Sequence, residues 1–154
     1  AMSAQLQEAP RIRRMVPADL DAVVAIEREV FLFPWTRGNF SDSLDAAYHC
    51  LVLEQDGNIF GYGVMTIGAE EAHLLTLSIA PESQGKGWGE KLLRHFIEIA
   101  REQLALTMFL DVRESNHAAA RLYERLGFRQ VGKRKDYYPA MGGREDSLVM
   151  ELVL

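Results

Sequence analysis

The stretch Leu74–Leu93, LLTLSIAPESQGKGWGEKLL, decides the fold. Its apolar run from Leu74 to Ala80 stops at Pro81. Gln84-Gly85-Lys86-Gly87-Trp88-Gly89 follows, and an amphipathic pattern begins at once. That order predicts a strand, a glycine-rich turn and a helix. The first N–H groups of a helix have no intrahelical partner, and the helix dipole adds partial positive charge at that end. Glycines let the backbone approach a bulky anion closely, so a phosphate or pyrophosphate suits such a turn. No window matches the Walker spacing, and Gly85, Gly87 and Glu90 miss the third glycine of the dinucleotide fingerprint. A glycine-rich turn with no ligand is the competing reading of these residues.

Composition narrows the class. A chain of 154 residues, 48% hydrophobic and 25% charged, has the make-up of one globular domain with a proper core. A formal net charge of −5 argues against direct nucleic-acid binding, which draws its affinity from excess Lys and Arg, and suits a cationic partner instead. The single cysteine, Cys50, permits no internal disulfide and sits in an apolar run, which predicts a buried inert thiol and a reducing, cytoplasmic setting. No stretch approaches the length of a membrane span, and the N-terminus lacks a signal-peptide core. Residues 1–10 are polar and expected to be a disordered or cloning-derived N-terminus. A single domain is expected over 11–154.

Outward from the loop, Ile12–Val16 reads as a short strand. Asp19 or Pro17 can open the helix behind it. Leu20, Val23, Val24, Val30 and Phe31 form the apolar face of that helix, with Glu27 on the same side. A Glu there either reaches water from the edge of the stripe, the commoner outcome, or faces a cleft. Phe33-Pro34-Trp35-Thr36 starts a second helix through Leu44. Two aromatics beside a proline can line a pocket or simply pack. Tyr48–Glu54 and Ile59–Ile67 read as strands around a hairpin turn at Gln55–Asn58, and a second turn at Gly68–Glu71 leads into the central strand. Beyond the loop, Leu92, Leu93, Phe96, Ile97, Ala100 and Leu104 mark a long helix, and Met108–Val112 a short buried strand. Asn116 caps a helix whose apolar face is Ala119, Leu122, Tyr123 and Leu126, with Gly127 as its C-terminal stop. Strands near Arg129–Tyr137 and Asp146–Leu152 close the chain. The histidines lack metal-ligand spacing, so no metal site is expected. The order predicts an α/β fold: a mixed, mostly antiparallel sheet of about seven strands with about four helices on its faces.

The Q-x-x-G-x-G spacing of Gln84, Gly87 and Gly89 resembles the acetyl-coenzyme A pyrophosphate loop of the GNAT N-acetyltransferase superfamily. The run Leu110–Phe128, with Asn116, Ala119, Tyr123, Gly127 and Phe128 in place, resembles the family's closing strand–helix unit. Phe33-Pro34-Trp35, Tyr137-Tyr138-Pro139 and Gly143-Arg144-Glu145-Asp146 resemble its ribosomal-protein-alanine N-acetyltransferase branch. The resemblance spans roughly residues 11–152. It implies a sheet whose fourth and fifth strands splay around acetyl-coenzyme A. Leu77, Ser78 and Ile79 would bond the pantetheine arm through backbone. Gln84, Gly85, Lys86, Gly87, Trp88, Gly89 and Glu90 would hold the pyrophosphate, and Asn116 would contact the same cofactor. Tyr123 would protonate the departing thiolate. The family branch takes the amine proton with a Glu where this chain has Asp111, so a carboxylate shorter by one methylene would act directly or through one water. Glu27 is a second candidate base and, with Trp35 and Tyr138, a candidate substrate contact. The implied acceptor is a protein N-terminus, that of a ribosomal protein. A lysine or small-amine acetyltransferase and a non-catalytic acetyl-coenzyme A-binding module are the rival readings.

Overall fold

The computed structural model describes residues 8–154. Strand β1 (Arg11–Arg14) leads through a 3-10 turn (Pro17–Asp19) into α1 (Leu20–Val30) and α2 (Arg37–Asp45). Strands β2 (His49–Gln55), β3 (Asn58–Gly68) and β4 (Glu71–Ile79) follow, then a second 3-10 turn (Pro81–Ser83) and α3 (Trp88–Glu102). Strand β5 (Thr107–Arg113), α4 (His117–Arg125), β6 (Arg129–Ala140) and β7 (Gly143–Val153) complete the chain. The strands form one sheet in the order β1-β2-β3-β4-β5-β7-β6. Strands β4 and β5 run parallel, while β1 with β2, β5 with β7 and β6 with β7 are antiparallel. The expected mixed α/β sheet with four helices is what forms. Among the described residues no helix is long and apolar enough to cross a membrane.

Two compact units divide the chain. The first runs through Val64 and takes in Leu77–Leu92. Its core gathers Val23 and Val24 of α1, Phe40 of α2, Val52 of β2 and Tyr62 and Val64 of β3. Phe40 meets Tyr62 edge-on at 5.6 Å and Trp35 at 5.1 Å. Cys50 is buried here, and burial pushes its thiol up to about 11, so it stays neutral and inert as expected.

The second unit comprises Met65–Thr76 and Leu93–Leu154. In β5 burial alternates: Met108, Leu110 and Val112 are buried, while Phe109, Asp111 and Arg113 are only partly so. Period-2 alternation thus puts the acidic side chain on the face opposite the core residues of its own strand. Strand β4 keeps register with β5 from Glu71↔Thr107 to Leu74↔Leu110, whereas β4 itself runs on to Ile79 and β5 to Arg113.

Several boundaries differ from expectation. Strand β1 ends at Arg14, and Asp19 does not cap α1 with its side chain: the residue is already helical, and its carboxylate bonds Arg13 and the Val16 amide instead. Pro17 opens the turn. Leu104 lies beyond α3 rather than on it. At φ 63° it is the left-handed residue of a Schellman stop, in which Leu104 N bonds Arg101 O and Ala105 N bonds Ala100 O, and it is 79% exposed. The last hairpin is longer than expected, so Tyr138 and Pro139 are strand residues. Strand β6 stands at the edge of the sheet, where a proline without an N–H can be accommodated. The expectation of disorder over residues 1–10 lies mostly outside the described residues. Glu8, which is described, bonds the β2–β3 turn through Asp56 and Gln55.

Candidate active site

In the first unit the glycine turn is an exposed backbone cradle. Gly85 and Gly87 sit at φ 76° and 86°, and a Cβ added at either would meet nothing within 4 Å. The first amide to rejoin the helical ladder is that of Lys91, bonded to Gly87 O at 3.1 Å. The start of α3 is the positive end of the helix dipole, where first-turn amides point out of the helix rather than into its ladder. Gln84 braces this turn: its Nε2 donates to Ile79 O at 2.9 Å. Trp88 packs edge-on against Phe60 at 5.3 Å, with the Lys91 ammonium 4.7 Å above its ring. Lys86 is exposed. Ser78 turns a buried side chain toward the Tyr62 hydroxyl, so any ligand contact there falls to its backbone.

Glu27 belongs to the interior of the same unit. It is 2% exposed, which overturns the expectation of a carboxylate reaching water from the edge of its stripe. Oε1 accepts from the Tyr62 hydroxyl, and Oε2 from the Trp35 amide at 2.9 Å. Desolvation raises its pKa against the pull of those two bonds. Both oxygens are therefore engaged in tying the α1–α2 connection to β3. Trp35 itself packs against the core through its ring.

The second unit holds the other candidates. Asp111 Oδ1 accepts from Ser147 Oγ at 2.7 Å and from Arg134 Nε at 3.0 Å. Tyr138 lies beside this group. Burial and then the Asp111 charge push its phenol up to about 12, while the Arg113 guanidinium stacks 4.5 Å over its ring. Arg113 also bonds Pro139 O and Glu145, and Glu145 takes the Ser115 amide, which fixes the β5–α4 turn to the final hairpin. On α4, Asn116 caps the helix as expected, its Oδ1 accepting from Ala119 N at 3.2 Å. The helix ends in a Schellman motif: Gly127 N bonds Glu124 O and Phe128 N bonds Tyr123 O, with Gly127 at φ 102°. Tyr123 is half-buried against Phe128 at 5.8 Å, and desolvation pushes its phenol up to about 12.

An open glycine turn ahead of a helix and a strand-borne carboxylate are features many proteins share. The sequence profile of the Acetyltransferase (GNAT) family, however, matches residues 20–128, most of the chain. The chain belongs to the GNAT acetyltransferase family. It is 35% identical over 141 residues to the [ribosomal protein bS18]-alanine N-acetyltransferase of Escherichia coli K12, covering 92% of this chain and 95% of that protein. The crystal structure of the ribosomal-protein-S18-alanine N-acetyltransferase from Escherichia coli superposes with a TM-score of 0.88 at 34% identity, covering 94% of each chain. The structure of yncA from Salmonella typhimurium with its cofactor acetyl-CoA superposes at 0.79 with 25% identity, covering 96% of this chain and 95% of that one.

As a GNAT acetyltransferase the chain has contacts near Asp111 that the sequence reading did not supply: Ser147 and Arg134 around its carboxylate, and Arg113 with Glu145 beside Tyr138, the last two having stood out only as members of family-like motifs. These partners lie 23 to 36 residues from the groups they touch, so no local spacing announces them. The Tyr62 partner of Glu27 was likewise missed, 35 residues away on β3. The one signal was the branch-like run from Tyr137 to Asp146, which singled out the hairpin without naming contacts.

Proposed function

We propose that this GNAT acetyltransferase moves the acetyl group of acetyl-coenzyme A onto the N-terminal α-amine of a protein, the N-terminal alanine of ribosomal protein bS18, in the cytoplasm. Residues 11–154 serve as one catalytic domain in this reading. The observation that carries it is the near-full-length likeness to the Escherichia coli enzyme of that activity. The side chains support it.

The co-substrate brings an acyl carbon activated by a thiol leaving group. The amides at the start of α3 and the open backbone at Gly85 and Gly87 suit its diphosphate. Leu77, Ser78 and Ile79 offer backbone to the pantetheine arm, although the Ile79 carbonyl is already taken by Gln84. Asn116 keeps its Nδ2 amide for the same ligand, Oδ1 being engaged in the cap.

Asp111 receives the proton that the amine loses as its nitrogen bonds the acyl carbon, directly or through one water. Tyr123 serves the sulfur as the C–S bond breaks. A phenol held near 12 arrives protonated at neutral pH. It is a weaker acid than an ordinary thiol near 8.5, so full transfer opposes a gap of roughly 5 kcal/mol. Tyr123 therefore acts first by donating a hydrogen bond to the developing thiolate, and the proton follows as solvent resupplies the phenol. An α-amine with a pKa near 8 is about a tenth neutral at pH 7, whereas lysine near 10.4 costs on the order of 3 kcal/mol more to deprotonate. One modest carboxylate fits the easier acceptor.

The test is a peptide panel with labelled acetyl-coenzyme A, read by mass spectrometry. Label at the α-amine of peptides beginning with the bS18 N-terminus is expected. Label confined to lysine side chains or small amines, or tight coenzyme binding with no transfer, overturns the proposal.

A further inference from the structure

The Asp111 carboxylate is not a lone anion. One of its oxygens, Oδ1, takes both the Ser147 hydroxyl and the Arg134 guanidinium, at 2.7 and 3.0 Å. Neither partner is bonded to Oδ2. Arg134 is itself steered by the Tyr137 ring, 5.6 Å from its guanidinium carbon. The Arg134 side chain is 51% exposed and that of Asp111 27%, so the pair lies at the surface rather than in the core. Such pairs add little to folding stability. What this one does change is the field an incoming amine meets.

We propose that Arg134 is a specificity-determining residue: by pairing with Asp111 it cancels the carboxylate's charge, so that the site accepts a neutral amine and gives no foothold to an ammonium ion. An isolated aspartate would bind the cationic form of any amine and stabilise it against deprotonation, trapping the acceptor in its unreactive state. Once the carboxylate is already paired, an ammonium gains little at Oδ2 and meets repulsion from the guanidinium. A neutral amine still finds a free acceptor oxygen for its proton. The filter favours α-amines, which are appreciably neutral near pH 7, over lysine side chains, which are not. The inference rests on Asp111 being the group that receives the proton.

The charged and titratable groups around the carboxylate come from each neighbouring strand. Strand β6 contributes Arg134 and Tyr138, β7 contributes Glu145, and β5 itself contributes Arg113. On β4, His73 contacts Phe109, two residues from Asp111 on the same strand, and has Glu71 beside it. Arg113 pairs with Glu145, and Arg134 pairs with Asp111 at 3.0 Å.

The experiment compares wild type with Arg134→Gln, Arg134→Lys, Asp111→Asn and the Asp111→Asn/Arg134→Gln double variant. Rates on a bS18-type peptide are followed from pH 6 to 10. The Kd of the same peptide carrying a permanently cationic N-trimethyl terminus is measured by calorimetry. In Arg134→Gln the amine's apparent pKa in the kcat profile is expected to rise by about half to one unit, a roughly 3- to 10-fold loss at pH 7 that vanishes by pH 10. The trimethylated peptide should bind several-fold tighter, Arg134→Lys should resemble wild type, and the double variant should lose the tightening. If Asp111→Asn lowers the rate but Arg134→Gln neither shifts the profile nor tightens the cation, Arg134 is no filter. A wild-type profile in Asp111→Asn removes Asp111 as the proton acceptor, and the filter falls with it. Tightening that persists in the double variant places the effect elsewhere and also overturns the inference.

Discussion

Two side chains with similar surroundings divide the work differently. Tyr123 and Tyr62 both have phenols raised by burial, yet Tyr62 is wholly buried and bonds Glu27, whereas Tyr123 is half-buried on α4. Replacing Tyr123 by Phe removes only the hydroxyl. Turnover is expected to fall by about 100- to 1,000-fold while the coenzyme Kd stays unchanged, as steady-state rates and calorimetry would show. An unaltered turnover removes Tyr123 from the mechanism. Glu27 answers to a stability measurement. Glu27→Ala leaves the Tyr62 hydroxyl and the Trp35 amide without their acceptor and is expected to cost roughly 2–4 kcal/mol in urea unfolding. Because its folded pKa is raised, the contribution from its protonation is fully present below the ordinary carboxylate value near 4.3 and is lost as pH rises through the folded value. Measured against Glu27→Gln, the wild-type protein should therefore lose ground as pH climbs from about 4.3. A constant difference between the two would deny the shift.

At the scale of an element, α3 and α4 end in the same hydrogen-bond pattern built from opposite residue choices. Gly127 occupies the left-handed position after α4, and Leu104 occupies it after α3, at φ 63° and 79% exposed. A leucine there carries strain that a glycine does not. Leu104→Gly is expected to stabilise the protein by about 1 kcal/mol. Gly127→Ala should do the reverse: the backbone is at φ 102° and the new Cβ would stand 3.2 Å from Leu152 Cδ1. A loss of about 1–3 kcal/mol follows, which at this chain length lowers Tm by roughly 2–4 °C per kcal/mol. Thermal melts of the two variants should move in opposite directions. The same comparison explains a boundary that sequence reading missed. Gly127 announced its stop because glycine is the residue that position favours. Leu104 concealed one, because an apolar residue at helical spacing reads as more helix.

Across the whole molecule, what the sequence disclosed was local and what it withheld was long-range. Helices and strands were legible because apolar spacing, caps and turn residues act within a few positions, as with Asn116 capping its helix. The loop and Tyr123 stood out through residues that are neighbours in the chain. Ion pairs between distant strands gave no such sign, and Asp19 shows the consequence: a residue suited to cap α1 was claimed instead by Arg13. Arg13 reaches Asp19 at 2.8 and 2.9 Å and Glu54 at 3.0 and 2.8 Å, joining β1, the first 3-10 turn and β2. Its hydrogen bonds are the leading reason that both carboxyls are held below their ordinary values, with Arg11 adding to the effect at Glu54. A carboxyl lowered by folding stabilises the protein above its unfolded pKa, near 4, and surrenders that contribution as pH falls through the folded value. Acid unfolding of the wild-type protein should therefore steepen below about pH 4. Arg13→Gln should be less stable than wild type at pH 7 and show a flatter acid limb, since its carboxyls would titrate nearly alike in the folded and unfolded chains. Urea midpoints taken from pH 7 down to 2 decide it: parallel curves for the two proteins would mean that Arg13 does not hold these carboxyls low.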